Sequence, residues 1–191
     1  MATTTRNRIV ASTAELLRRQ GYTATGVKQI VERAGAPFGS IYHHFPGGKE
    51  QVSAEAIRTS GAEYAAVLPL AFDDAPDLLT GIRTYFALAA SHLEDSDFAD
   101  ACPIATVALE VASTNEPLRE ATSEVFTSWQ EYGTAYFVDR GVGSEVAAEL
   151  TTALVCALEG AFVITRATRD TTALLTCGDV LARSFADRLP D

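Results

Sequence analysis

Apolar residues recur at three- and four-residue intervals along most of the chain, so the polarity pattern predicts helix throughout. In TRNRIVASTAELLRRQGYTA, residues 5–24, Ile9, Thr13, Leu16 and Leu17 share one face while the arginines lie elsewhere, and Gly21 is placed to end the helix as a C-cap. Thr23 or Thr25 can cap a second helix, TGVKQIVERAG, whose apolar stripe is Val27, Ile30, Val31 and Ala34 and whose stop is Gly35. Pro37 suits the first turn of a third, short helix, where no amide donor is required, with Ile41 and Phe45 as its apolar pair. PGG at 46–48 breaks that helix, and Lys49 starts a fourth running through Val52, Ala56 and Ile57.

From about residue 61 the helical segments lengthen. APDLLTGIRTYFALAASHLED spaces Leu78, Leu79, Ile82, Phe86 and Leu93 as one helix, and DSDFADACPIATVALEVAST becomes helical after Pro103. Residues 116–141 predict a long helix with Pro117 in its first turn and Gly141 near its end, and 144–170 and 171–189 predict two more. Alanine is abundant, and only seven prolines and thirteen glycines interrupt 191 residues, so the expected fold class is all-α.

Composition adds a division that the periodicity does not show. The 47% hydrophobic and 21% charged content is that of a globular chain with a sizeable core, in one or two domains. A net charge of -10 argues on its own against a polyanionic partner. The charge is uneven, however: residues 1–60 carry eight Lys/Arg and four acids, whereas 61–191 carry seven and twenty-one. This split suggests a basic module able to meet a polyanion and an acidic module that keeps the chain soluble. Cys102, Cys156 and Cys177 are odd in number and show no CxxC spacing, which predicts free thiols in a reducing compartment. Neither a signal-like N-terminal run nor an uninterrupted apolar 18-mer is present, so the expectation is a cytoplasmic protein without a membrane partner.

The basic module contains the most specific chemistry. Two short helices about three residues apart can form a helix-turn-helix, whose second member lies in the DNA major groove. Ser40, Tyr42, His43 and His44 on the third helix are compact or planar hydrogen-bonding groups of the kind that meet phosphates and base edges. His43 and His44 point about 100° apart on a helix, and His92 lies far along the chain, so no metal site is expected. No nucleophile–base arrangement appears, which predicts neither an enzyme nor a cofactor.

The run TGVKQIVERAGAPFGSIYHHFPGGKEQV resembles the DNA-binding signature of the TetR family of transcriptional regulators. Thr25, Ile30, Ala34, Gly35, Gly39, Ser40, Ile41, Tyr42, His44, Phe45, Lys49 and Glu50 fall on its positions. The resemblance implies a three-helix helix-turn-helix DNA-binding domain over 5–65, joined to a helical TetR-like effector-binding and dimerisation domain over 66–191. It places Thr25 and Lys28 near the DNA backbone, Ser40 and His43 toward the groove, Tyr42 and His44 toward phosphate, and Lys49 on phosphate from the fourth helix. Ile30, Ala34, Ile41 and Phe45 are its core, and Gly39 allows close approach. The chain departs from the family where Pro37 and Phe38 replace the usual polar residues; Phe38 can touch a thymine methyl or pack locally, and the sequence leaves both open. FPGGKE and the Cys102–Pro103 pair resemble the LmrA/YxaF-like branch of the family.

For the acidic module the resemblance implies a small-molecule effector and a homodimer, with the recognition helices entering successive grooves of a double-stranded, palindromic operator. Tyr85, Phe86, Phe126, Trp129, Tyr132, Tyr136 and Phe137 supply aromatic linings for an apolar or aromatic effector, with Glu110 or His92 as polar anchors. The last two helices are the implied interface: Ala148, Thr152, Ala153, Cys156 and Gly160 permit close approach, and Leu150, Leu154, Leu158 and Phe162 add apolar area. The alternative is a small-molecule-binding helical protein without operator function, in which those leucines belong to the core of a monomer.

Overall fold

The Thr4 side chain opens the first helix, its hydroxyl accepting the amide of Asn7 at 3.2 Å, in a computed structural model that describes residues 4–190. Helix α1 (Thr5–Ala24) is interrupted at Gly21, whose φ of 76° and ψ of -176° lie in a region that only glycine enters without strain. Helix α2 (Val27–Arg33) starts after Gly26, whose amide is satisfied by the side chain of Gln29 at 2.8 Å. Neither expected cap, Thr23 or Thr25, takes that position; Thr25 instead donates its hydroxyl to the Gly21 carbonyl at 2.6 Å and closes the end of α1. Helix α2 ends in a Schellman turn: Ala36 bonds Val31 and Gly35 bonds Glu32, with Gly35 at φ 58°. Helix α3 (Gly39–His44) begins two residues after Pro37, so the proline precedes the first turn it was expected to occupy; its carbonyl accepts from the Ser40 amide. Helix α4 (Gly48–Ala65) follows, one residue earlier than expected.

The remaining helices are α5 (Val67–Phe72), α6 (Leu78–Asp95), α7 (Pro103–Val111), α8 (Glu116–Val138), α9 (Ser144–Thr168) and α10 (Thr172–Phe185). No strand occurs among the described residues, so the fold is all-α, with helix-turn-helix elements first and a helical bundle after them. The backbone divides into two compact units. One combines residues 1–62 with 102–126, and the other combines 63–101 with 127–191.

In the first unit α1 packs against α2, α3 and α7. Ile9, Leu17, Ile30, Ile41, Phe45, Ile57, Ile104 and Leu118 are completely buried. Arg8 donates from Nε to the Ala34 carbonyl at 3.0 Å, tying the start of α1 to the end of α2. Arg58 pairs with Glu124 at 2.6 Å, and Asn115 donates to Glu50 at 2.7 Å while accepting from the Leu118 amide. These bonds fix α4 to the 115–124 segment.

The second unit has its own core, in which Phe72, Ile82, Phe86, Leu93, Phe137, Leu150, Leu154, Leu174 and Phe185 bring α5, α6, α8, α9 and α10 together. Asp77 caps α6 by accepting the Thr80 amide at 2.6 Å, which holds its carboxyl below the ordinary range. Asp73 accepts from the Tyr136 hydroxyl at 2.6 Å and also pairs with Arg140, whose guanidinium lies 3.5 Å from the Tyr136 ring centre. Helix α9 is long and apolar enough, by length and composition, to cross a bilayer, yet only 28% of its most apolar window is buried within the chain.

Candidate nucleic-acid interface

Helix α3 is anchored from one side only. Ile41 and Phe45, four residues apart, are both completely buried and hold the helix on the first unit's core. The opposite side presents Phe38, Gly39, Tyr42 and His43 to solvent, with Ser40 and His44 half-buried at the edges. Phe38 and Tyr42 are 56% and 51% exposed, an unusual amount for large aromatic residues. Their ring centres lie 6.1 Å apart with planes tilted by 58°. His43 and His44 meet edge to face at 4.8 Å, and no group of three or more metal-ligating side chains exists among the described residues. Gly48, at φ 62°, turns the chain from α3 into α4; an added Cβ there would come within 3.3 Å of the Tyr42 ring.

The basic side chains of this unit are largely engaged inside it. Arg6 pairs with Glu55, Arg33 with Glu15 and Arg58 with Glu124. Lys28 is far more exposed and lies 3.7 Å from Glu32 on its own helix, an exposed pair of little net worth that phosphate can replace. Lys49 sits with Nζ 4.0 Å from the centre of the Tyr22 ring. Desolvation lowers its pKa, with the nearby Glu110 charge opposing that shift. Thr25 is 1% exposed and its hydroxyl is already donated to Gly21, so any approach to a nucleic-acid backbone there falls to main-chain groups.

The same unit holds a contact that the periodicity did not reveal. Glu110 of α7 accepts the Thr23 amide at 2.9 Å and presses on Gly21 so closely that a Cβ at Gly21 would overlap its carboxylate. Glu110 therefore closes the end of α1 and does not share a unit with Tyr85, Phe86, Trp129, Tyr132, Tyr136 or Phe137. Phe126 also falls in the first unit. Of the remaining expected ligand contacts, Phe86 is completely buried core, whereas Tyr85 and Trp129 are half-buried and Tyr132 is 42% exposed. Tyr85 and Tyr136 each stand beside Phe72, and Tyr132 beside Tyr136, with ring centres between 6.1 and 6.4 Å apart. His92 lies 3.8 Å from the buried carboxylate of Asp100.

The expected interface residues on α9 separate in the same way. Leu150 and Leu154 are buried in the second unit's own core, which removes them from any surface, while Leu158 and Phe162 are half-buried against it. The side of α9 left uncovered carries Ala148, Thr152, Cys156, Gly160, Val163 and Ile164.

A short anchored helix with a polar and aromatic outer face, held against two preceding helices, is the arrangement of a helix-turn-helix DNA-binding protein. Residues 9–56 match the family model described as bacterial regulatory proteins, tetR family, and residues 79–180 match that described as transcriptional regulator LmrA/YxaF-like, C-terminal domain. The chain is 32% identical over 170 residues to the uncharacterized HTH-type transcriptional regulator YxaF of Bacillus subtilis, covering 89% of each chain. It is 29% identical over 170 residues to the HTH-type transcriptional regulator LmrA of the same organism, covering 89% of this chain and 90% of that one. Its fold resembles the crystal structure of the regulatory protein TetR from Rhodobacter sphaeroides, with a TM-score of 0.80 at 22% identity over 92% of this chain and 96% of that one. The protein belongs to the TetR family of transcriptional regulators.

Proposed function

We propose that this protein is a homodimeric regulator of the LmrA/YxaF-like branch, a repressor that leaves a palindromic operator when a small apolar or aromatic effector binds its second unit. The carrying observation is the two-sided character of α3, with Ile41 and Phe45 fully buried and Phe38, Gly39, Tyr42 and His43 exposed. Ser40 and His43 supply hydrogen-bonding groups for base edges, and Tyr42 and His44 for phosphate. Lys28 reaches the backbone readily; Lys49 does so by leaving the Tyr22 ring. Thr25 would contribute through its surrounding main chain. Such a regulator works in the cytoplasm, where its operator lies.

The branch is supported by the match over 79–180 and by the two Bacillus subtilis relatives. A second copy of the chain is the occupant that suits the uncovered side of α9, where small residues at 148, 152, 156 and 160 admit a close helix and Val163 and Ile164 add apolar area. Effector contacts are assigned to Tyr85, Trp129 and Tyr132, three of the expected aromatic residues that lie in the second unit and keep some exposure. Differential binding to two conformations would then set operator affinity.

Selection of genomic fragments by the purified full-length protein, followed by footprinting, tests this reading. A protected inverted repeat with half-sites about one DNA turn apart supports it. Selection of no fragment favours a small-molecule-binding protein without an operator. Operator affinity that does not change when a bound effector saturates the protein removes the allosteric part.

A further inference from the structure

We propose that Phe38 reads the 5-methyl group of a thymine in the major groove, which makes it a specificity-determining residue of α3. This rests on α3 being the groove-facing helix. Local packing is the competing role for this side chain, and it leaves more than half of Phe38 exposed. Phe38 is 56% exposed, and the attachment of α3 is already complete through Ile41 and Phe45, both at 0%. Its ring neighbour is Tyr42, itself 51% exposed, at 6.1 Å between centres. One turn apart on the helix, the two rings form an open aromatic edge on the outer side of α3.

Chemistry narrows what that edge can recognise. A phenyl ring neither donates nor accepts a conventional hydrogen bond, so it cannot read guanine N7 and O6, adenine N6 or cytosine N4. The thymine methyl is the apolar feature that an unmodified base pair shows in the major groove, and aromatic contact with it is an established form of readout. The neighbouring Gly39 adds no side chain, and a Cβ built there meets nothing within 4 Å outside its chain neighbours, so α3 is open at that position. Charge points the same way. Residues 36–42, AlaProPheGlySerIleTyr, contain no charged side chain, so the segment that carries Phe38 supplies no cation of its own for phosphate.

The test uses full-length protein and duplex oligonucleotides carrying the selected operator, with each thymine replaced in turn by deoxyuridine. That change removes one methyl group and leaves base pairing intact. The expected result is one symmetry-related thymine per half-site at which wild-type affinity falls about three- to tenfold, in line with losing one buried methyl contact. Phe38→Ala should bind the thymine and uracil duplexes equally, and Phe38→Leu should retain part of the difference, both with the helical circular dichroism of the parent. The proposal is overturned if no thymine is sensitive, or if the same thymine stays sensitive in Phe38→Ala. Tight operator binding that ignores every methyl would discard this role while leaving the DNA-binding reading intact. Failure to bind any duplex would overturn both.

Discussion

Gly21 combines two constraints that reach the same conclusion by different routes. Its φ of 76° excludes a side chain on conformational grounds, and Glu110 fills the space where a Cβ would go. Gly21→Ala is expected to lower stability by about 1–3 kcal/mol in chemical denaturation, chiefly through backbone strain. Because the clashing atoms belong to the end of a flexible side chain, adding Glu110→Ala should recover only the minor, steric share. Tyr136 gives a second residue-scale prediction. Burial first, and then its bond to Asp73, raise its phenol well above the ordinary value of 10.0. The unfolded chain therefore releases this proton first as pH rises. The associated stability is complete below about pH 10 and is lost as pH climbs toward the folded value. Urea titrations of Tyr136→Phe should show a shallower alkaline decline than wild type, together with a loss of about 0.5–1.5 kcal/mol at neutral pH from the missing bond to Asp73.

At the scale of elements, close helix approach depends on particular small residues. A Cβ at Gly81 of α6 would lie 2.2 Å from the Phe72 ring, which is itself 4% exposed in the core. Gly81→Ala should cost about 1–3 kcal/mol by overpacking, measured from the denaturation midpoint, and the loss should shrink in a Phe72→Leu background. Helices α1 to α4 were legible in the sequence because each carries one apolar stripe bounded by Gly21, Gly35 or the PGG break. Helix α5 was not, since VLPLAF is only six residues long, too short to establish a period, and holds a proline. Pro37 was placed two residues too far inside α3 because an N1 proline and a proline just before the cap leave the same local signal. The Glu110 contact was illegible for a different reason: it joins residues 87 apart, and periodicity identifies a buried face without naming the partner that covers it.

For the whole molecule, α9 shows where that ambiguity matters most. It is apolar on more than one side, so the family resemblance, which implies an interface on this helix, did not tell which leucines face it, and Leu150 and Leu154 belong to the core. Two substitutions separate the sides. Leu154→Ala should cost about 2–5 kcal/mol in unfolding experiments as a core truncation. Ile164→Glu, at a position 54% exposed, should leave the circular dichroism of the folded chain unchanged and shift sedimentation from dimer to monomer. A dimer unaffected by Ile164→Glu would remove this side of α9 from the interface.

The first unit is discontinuous along the chain, and this order constrains how the protein can be made and recombined. Residues 102–126 supply Ile104, Val107, Val111 and Leu118 to a unit whose other part ends at residue 62. During synthesis the DNA-reading head therefore stays unfinished until residue 126 has emerged, by which point the 63–101 stretch of the other unit is already out. A chimera cut at residue 65 would inherit α1 with its α7 contact missing. Transplanting the head of this regulator onto a foreign sensor requires carrying the returning segment with it.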